Sequence, residues 1–120
     1  MPQVLALVDD LFFQAKITET AKHAGVVVRV CATPEALMAA IAEEKPNLIV
    51  LDLNARSRPV EALARIQSDA DGILVIAFLS HVQTELAQQA RAAGCRTVMA
   101  RSQFTRDLAT ILARAKSDLT

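Results

Sequence analysis

The stretch Leu48–Asn54, LIVLDLN, decides how the chain is read. Four apolar residues, two of them β-branched, run straight into Asp52. An unbroken apolar run of this length suits a strand buried on both faces. Such strands belong to parallel sheets covered by helices. A carboxylate at the end of such a strand is costly to bury unless it is paired or hydrogen-bonded. Asp52 is therefore either a reactive group or a structural acid held by its neighbours.

Outward from this stretch the same rhythm repeats. Toward the N-terminus, QVLALV (residues 3–8) and VVVRVC (residues 26–31) read as strands. A helix is expected from Leu11 to Ala24, stopped by Gly25. TPEALMAAIAEEK opens a second helix with Thr33 as cap and Pro34 in the first helical position. Leu37, Ala40 and Ile41 then recur at helical spacing, and Pro46 ends the segment. Toward the C-terminus, Pro59–Gln67 reads as a helix and Ile73–Leu79 as a strand. Ser80 and Gln83 have capping-box spacing for the next helix, which Gly94 closes. RTVMA (residues 96–100) is the fifth strand, and Phe104, Leu108, Ile111, Leu112 and Ala115 mark one last helix. Five βα units without repeat or linker imply an α/β fold: a doubly wound, five-stranded parallel sheet in a single domain, residues 1–120.

Composition narrows the function classes. Lys plus Arg and Asp plus Glu both number 13, so the chain lacks the basic excess of a nucleic-acid binder. No apolar run approaches the ~20 residues that span a bilayer, and MPQVLALVDD is not a secretory leader, so a cytoplasmic protein is expected. Cys31 and Cys95 form no CxxC and have no histidine cluster beside them, which leaves two buried core thiols rather than a zinc site. His23 and His81 are the only histidines, and neither is placed as a base for nucleophilic catalysis. A small α/β enzyme or nucleotide binder is the weakest reading, because DDLFF follows the first strand where a glycine-rich phosphate loop would stand.

In doubly wound sheets, reacting groups lie at the carboxyl ends of the strands. That rule selects Asp9 and Asp10 after the first strand, Asp52 after the third, Leu79 and Ser80 after the fourth, and Arg101 after the fifth. An acidic pair closing strand one, a lone Asp closing strand three about forty residues later, AAG at residues 92–94 and a basic residue after strand five form a recognisable set. With the βα rhythm, they make the whole chain resemble a bacterial response-regulator receiver domain of the CheY-like superfamily. The resemblance implies a flavodoxin-like (βα)5 fold with strand order 2-1-3-4-5. It also implies a cytoplasmic module of a two-component or phosphorelay system, with Asp52 as phosphoryl acceptor. Asp9, Asp10, Asp52 and the backbone carbonyl of Asn54 would then hold Mg²⁺, a hard cation suited to carboxylate, carbonyl and phosphate oxygens. Any catalysis would be limited to self-catalysed phosphoryl transfer to Asp52. The strand order also puts Cys31 and Cys95 on opposite sheet edges, roughly 19 Å apart, too far for an intramolecular disulfide.

The chain departs from the receiver pattern at several points. Receivers carry a Ser or Thr after strand four; here family spacing gives Leu79, and a loop one residue shorter gives Ser80. Arg101 replaces the usual Lys, Ser102 replaces a proline, and Val98 replaces the aromatic three residues before the basic position. Arg and Lys are not interchangeable at a tight phosphate site. The loop after Asp52, NARSRPVE, has no glycine and brings Arg56 and Arg58 within possible reach of the acids, along with Arg101. One guanidinium is therefore expected to replace the metal as neutralising cation, giving a degenerate or pseudo-receiver. Asp9 and Asp10 have a second reading as caps of the first helix. Leu11, Phe12 and Phe13 cannot all face one core stripe, so one aromatic is expected to pack inward and one to stand exposed or to cover the acids. Helix four presents Gln83, Thr84, Gln88 and Gln89 outward, and Val82, Leu86 and Ala90 inward. By fold analogy, the face formed by helix four, strand five and helix five is a docking or homodimer surface. The expected partners are a sensor kinase or a downstream effector, with no nucleic acid and no membrane.

Overall fold

The computed structural model describes residues 3–56, 58–69, 73–80, 84–95 and 97–117. These residues form five strands: β1 (Val4–Leu7), β2 (Val28–Cys31), β3 (Leu48–Asp52), β4 (Leu74–Leu79) and β5 (Thr97–Ala100). Alternating with them are α1 (Leu11–Ala24), α2 (Pro34–Glu43), α3 (Pro59–Asp69) and α4 (Thr84–Ala92), and after β5 come α5 (Arg101–Arg106) and α6 (Leu108–Ser117). The sheet order is β2-β1-β3-β4-β5 and every pairing is parallel. The flavodoxin-like doubly wound fold and its strand order are therefore as expected. Among the described residues, no helix is long and apolar enough to cross a membrane.

Alternation along each strand divides the core in two. Leu5, Leu7, Ile49, Leu51, Val75, Ala77 and Leu79 face α2, α3 and α4. Val4, Ala6, Leu48, Val50, Ile76 and Phe78 face the other way, against α1, α5 and α6. Asp52 continues the Leu48–Val50 alternation, so it points to the α1–α5 side at the tip of β3. In register it lies opposite Phe78 of β4.

Local chemistry explains where the elements differ from expectation. VVVRVC yields a strand only from Val28, because Val26 completes the end of α1. Gly25 takes a left-handed φ of 72°, its N–H donates to the Lys22 carbonyl, and the Val26 N–H donates to that of Ala21. This double bond pattern satisfies the last helical carbonyls. Helix α2 starts as read, with the Thr33 hydroxyl accepting from the Ala36 N–H and Pro34 in its first turn. Helix α3 runs two residues past Gln67, to Asp69. The single last helix is instead two, broken at Asp107 (φ −99°, ψ 9°). Aspartate is a poor helix-interior residue, but its carbonyl still accepts from the Ile111 N–H, so Phe104 and Leu108 stay on one buried face. Gln83, Val82 and His81 lie outside the described residues. Helix α4 begins at Thr84 with Ala87 and Ala90 buried, Leu86 half-buried, and Thr84, Gln88 and Gln89 exposed. Cys31 and Cys95 are free and buried on opposite edges, and burial raises both thiol pKa values.

Candidate functional site

The site begins at the turn from β1 into α1. Asp10 has extended backbone geometry and caps α1: its Oδ1 accepts from the N–H groups of Phe12 (2.9 Å) and Phe13 (3.2 Å). The capping reading of the acidic pair thus holds for Asp10. Asp9 is exposed and does something else. Its Oδ2 accepts from the backbone N–H of Arg56 at 2.8 Å, tying the β1 tip to the loop after β3.

Asp52 is 3% exposed, the one charged residue among the buried set of the described residues. Its Oδ1 accepts from the Asn54 N–H at 2.9 Å, and its carbonyl accepts from the Ala55 N–H at 3.0 Å, which closes a tight turn. Asn54, expected as a carbonyl donor, also spans to β4. Its side-chain Oδ1 accepts from the Ser80 N–H at 2.9 Å, with the Ser80 hydroxyl at 3.4 Å. Leu79 packs with Ala87 and Ala90 on the opposite sheet face from Asp52. Ser80 is exposed and meets the cluster through Asn54.

Arg101 completes the site from the end of β5. Its Nη2 donates to Asp10 Oδ2 at 3.2 Å and lies 3.9 Å from Asp52 Oδ2. The guanidinium sits over an aromatic floor, with Cζ 4.6 Å from the Phe13 ring centroid and 5.8 Å from that of Phe78. Phe78 stacks in turn on Phe104 at 4.5 Å. Three of the four phenylalanines thus support one arginine, an arrangement suited to its flat, weakly hydrated fork. The fourth, Phe12, is 90% exposed, beside Leu11 at 75%. One aromatic packs inward and one stands out, as read. The inward one lies beneath the cation rather than simply filling the core.

Two arginines of the β3–α3 loop depart from expectation. Arg58 does not approach the acids: its guanidinium pairs with Glu61 at 3.2 Å and Glu35 at 3.7 Å. Its backbone takes a left-handed φ of 54°, a state that sequence spacing did not signal. Arg56 meets the cluster through its backbone N–H.

The two central acids respond oppositely to their surroundings. Burial pushes the Asp52 pKa above its ordinary value, with Asp9 and Asp10 adding to the rise, against the opposing pull of the Asn54 N–H and Arg101. The Phe13 N–H, with help from Phe12 and Arg101, holds the Asp10 pKa below its ordinary value. A Mg²⁺ ion at these donors would compete with contacts they already make. Asp9 Oδ2, Asp10 Oδ1, Asp10 Oδ2 and Asp52 Oδ1 each already accept from an N–H group. Among the described residues, no three acid, imidazole or thiol side chains are grouped to hold a metal ion.

No family model and no curated protein matches the chain. Solved structures do. The receiver domain of NtrX from Brucella abortus superposes with a TM-score of 0.80 at 20% identity, covering 95% of this chain and 98% of that one. A response regulator receiver domain protein from Clostridium thermocellum gives 0.80 at 16% identity, with all of both chains covered. The chemotaxis response regulator CheY4 of Vibrio cholerae gives 0.79 at 21% identity, covering 96% and 98%. At these identities the likeness concerns the backbone, and the fold of this chain is that of a response-regulator receiver domain.

Proposed function

We propose that the protein is a receiver-like module of a two-component or phosphorelay system, and that it works through contacts with another signalling protein while its phosphorylation site is incomplete. The observation that carries this reading is the burial of Asp52 behind Arg101, with Leu79 turned into the opposite core. A phosphoryl acceptor needs an accessible carboxylate, a hydroxyl or amine for the phosphoryl oxygens, and a cation to neutralise developing charge. Here the hydroxyl position by family spacing is an apolar core residue, and the cation is already committed to Asp10.

Two surface features support work by contact. Leu11 and Phe12 expose apolar side chains at the rim of the acidic pocket. Between α4 and β5 lies a hollow of ≈ 310 Å³ lined by Leu79, Ala87, Val98 and Met99, where small side chains leave space beside the expected docking face.

A second reading, a working receiver phosphorylated by a histidine kinase with Mg²⁺, is favoured by one observation. Asp10, Asp52 and the basic residue all meet at the strand tips, as phosphoryl transfer would require. Incubation with acetyl phosphate and Mg²⁺, followed by intact-mass measurement, separates the two. The proposal expects no phosphoryl increment. An increment that disappears in Asp52→Asn establishes the second reading.

A further inference from the structure

Resting on the receiver-like reading of the pocket, we infer that the Arg101 guanidinium is the resident cation of the strand tips and that it keeps divalent metal out. Asp10 Oδ2 and Asp52 Oδ2 come from different strands, yet both face one nitrogen, Arg101 Nη2, at 3.2 and 3.9 Å. A cation bridging these two carboxylates would compete with that nitrogen for the same pair of oxygens. Mg²⁺ requires oxygens at about 2.0–2.1 Å in near-octahedral array, and a guanidinium beside the same oxygens repels it.

The seat is built for an arginine. The guanidinium carbon lies over the Phe13 ring, with Phe78 farther off and Phe104 backing Phe78. A lysine ammonium is compact and strongly hydrated, and it gains less from such a floor. The Arg101 Nε is buried without a hydrogen-bond acceptor among the described residues. An unpaired buried donor is unfavourable, so the rings and carboxylates must set the position of the group rather than its own full hydrogen-bonding capacity. Three more acid oxygens accept from backbone donors. The Arg56 N–H holds Asp9, the helix cap holds Asp10 Oδ1, and the Asn54 N–H holds Asp52 Oδ1. Together these contacts give the strand-tip acids one side-chain cation and a set of backbone donors.

Mn²⁺ titration of the full chain, followed by ¹H–¹⁵N NMR, tests this without any phosphoryl donor. In the native protein the amides of Phe12, Phe13 and Asn54 should broaden no more than exposed amides elsewhere. In Arg101→Met the same amides should broaden selectively at Mn²⁺ concentrations on the order of tenfold lower, and Mg²⁺ should reverse the effect. Arg101→Lys retains a positive charge on a smaller head, and it should show the same gain more weakly if the Met variant does not fold. Selective broadening in the native protein at the concentrations that affect the variants overturns the inference. So does its absence from every folded variant. A native protein that binds Mn²⁺ yet takes no phosphoryl group refutes the resident cation alone, whereas one phosphorylated on Asp52 refutes the incomplete site.

Discussion

Arg101 lies over Phe13, its guanidinium carbon 4.6 Å from the ring centroid, while its Nη2 reaches Asp10 at 3.2 Å. One residue from the end of β5 thus grips the first turn of α1 from two directions. The grip closes the strand-tip pocket over Asp52 and ties its acids together.

Asp52 should be a stability cost at neutral pH. Its raised pKa means that the folded state holds the proton more tightly than the unfolded chain. The favourable contribution is complete below the ordinary value of 3.8 and is lost as pH rises through the higher folded value. Asp52→Asn should therefore be more stable at neutral pH by on the order of 1 kcal/mol. The gain should shrink toward zero as the solution is acidified past both values. Denaturant unfolding followed by far-UV circular dichroism across pH measures this, and a variant less stable than the native protein at neutral pH contradicts it.

Asp10 carries the opposite sign. Its pKa is lowered, so its contribution is present above the ordinary value and is lost as pH falls through the lower folded value. Asparagine caps a helix nearly as well as aspartate, whereas alanine does not. Thermal unfolding at neutral pH should rank native above Asp10→Asn, and Asp10→Asn above Asp10→Ala. The first step reports the loss of the Arg101 pair and the second the loss of the cap. Equal melting of the native protein and Asp10→Asn would mean that the ion pair contributes nothing.

The neighbouring phenylalanines should behave differently. Phe13→Leu removes a core ring and the floor under Arg101, and should cost about 1–2 kcal/mol. Phe12→Ser alters a residue that is 90% exposed, and should shift stability by less than about 0.5 kcal/mol. Urea unfolding of the two variants measures both values, and a large loss for Phe12→Ser would place that ring in the core.

Much of the scaffold was legible because buried parallel strands leave strong marks. LIVLD is apolar up to Asp52, and the caps at Thr33 and Gly25 follow from backbone donors and acceptors that must be satisfied. Strand order came from the resemblance rather than from periodicity. The acids and Arg101 were placed at the strand tips by the rule for doubly wound sheets. The direction of Arg58 was not legible, because its partners Glu35 and Glu61 lie on other elements and its backbone takes a left-handed φ. Nor was the aromatic floor, which joins residues of α1, β4 and α5 whose meeting depends on register. Nor was the direction of Leu79, which the alternation of β4 turns into the core on the opposite sheet face from Asp52.

A double-mutant cycle between Asp52 and Arg101 tests the central claim most directly, using Asp52→Asn, Arg101→Met and the pair. Arg101 is partly exposed, so solvent screening limits the interaction. The account predicts a favourable coupling of about 1 kcal/mol at neutral pH that disappears when Asp52 is protonated. Additive effects, with coupling below about 0.3 kcal/mol, would contradict a pocket in which Arg101 neutralises the buried acid.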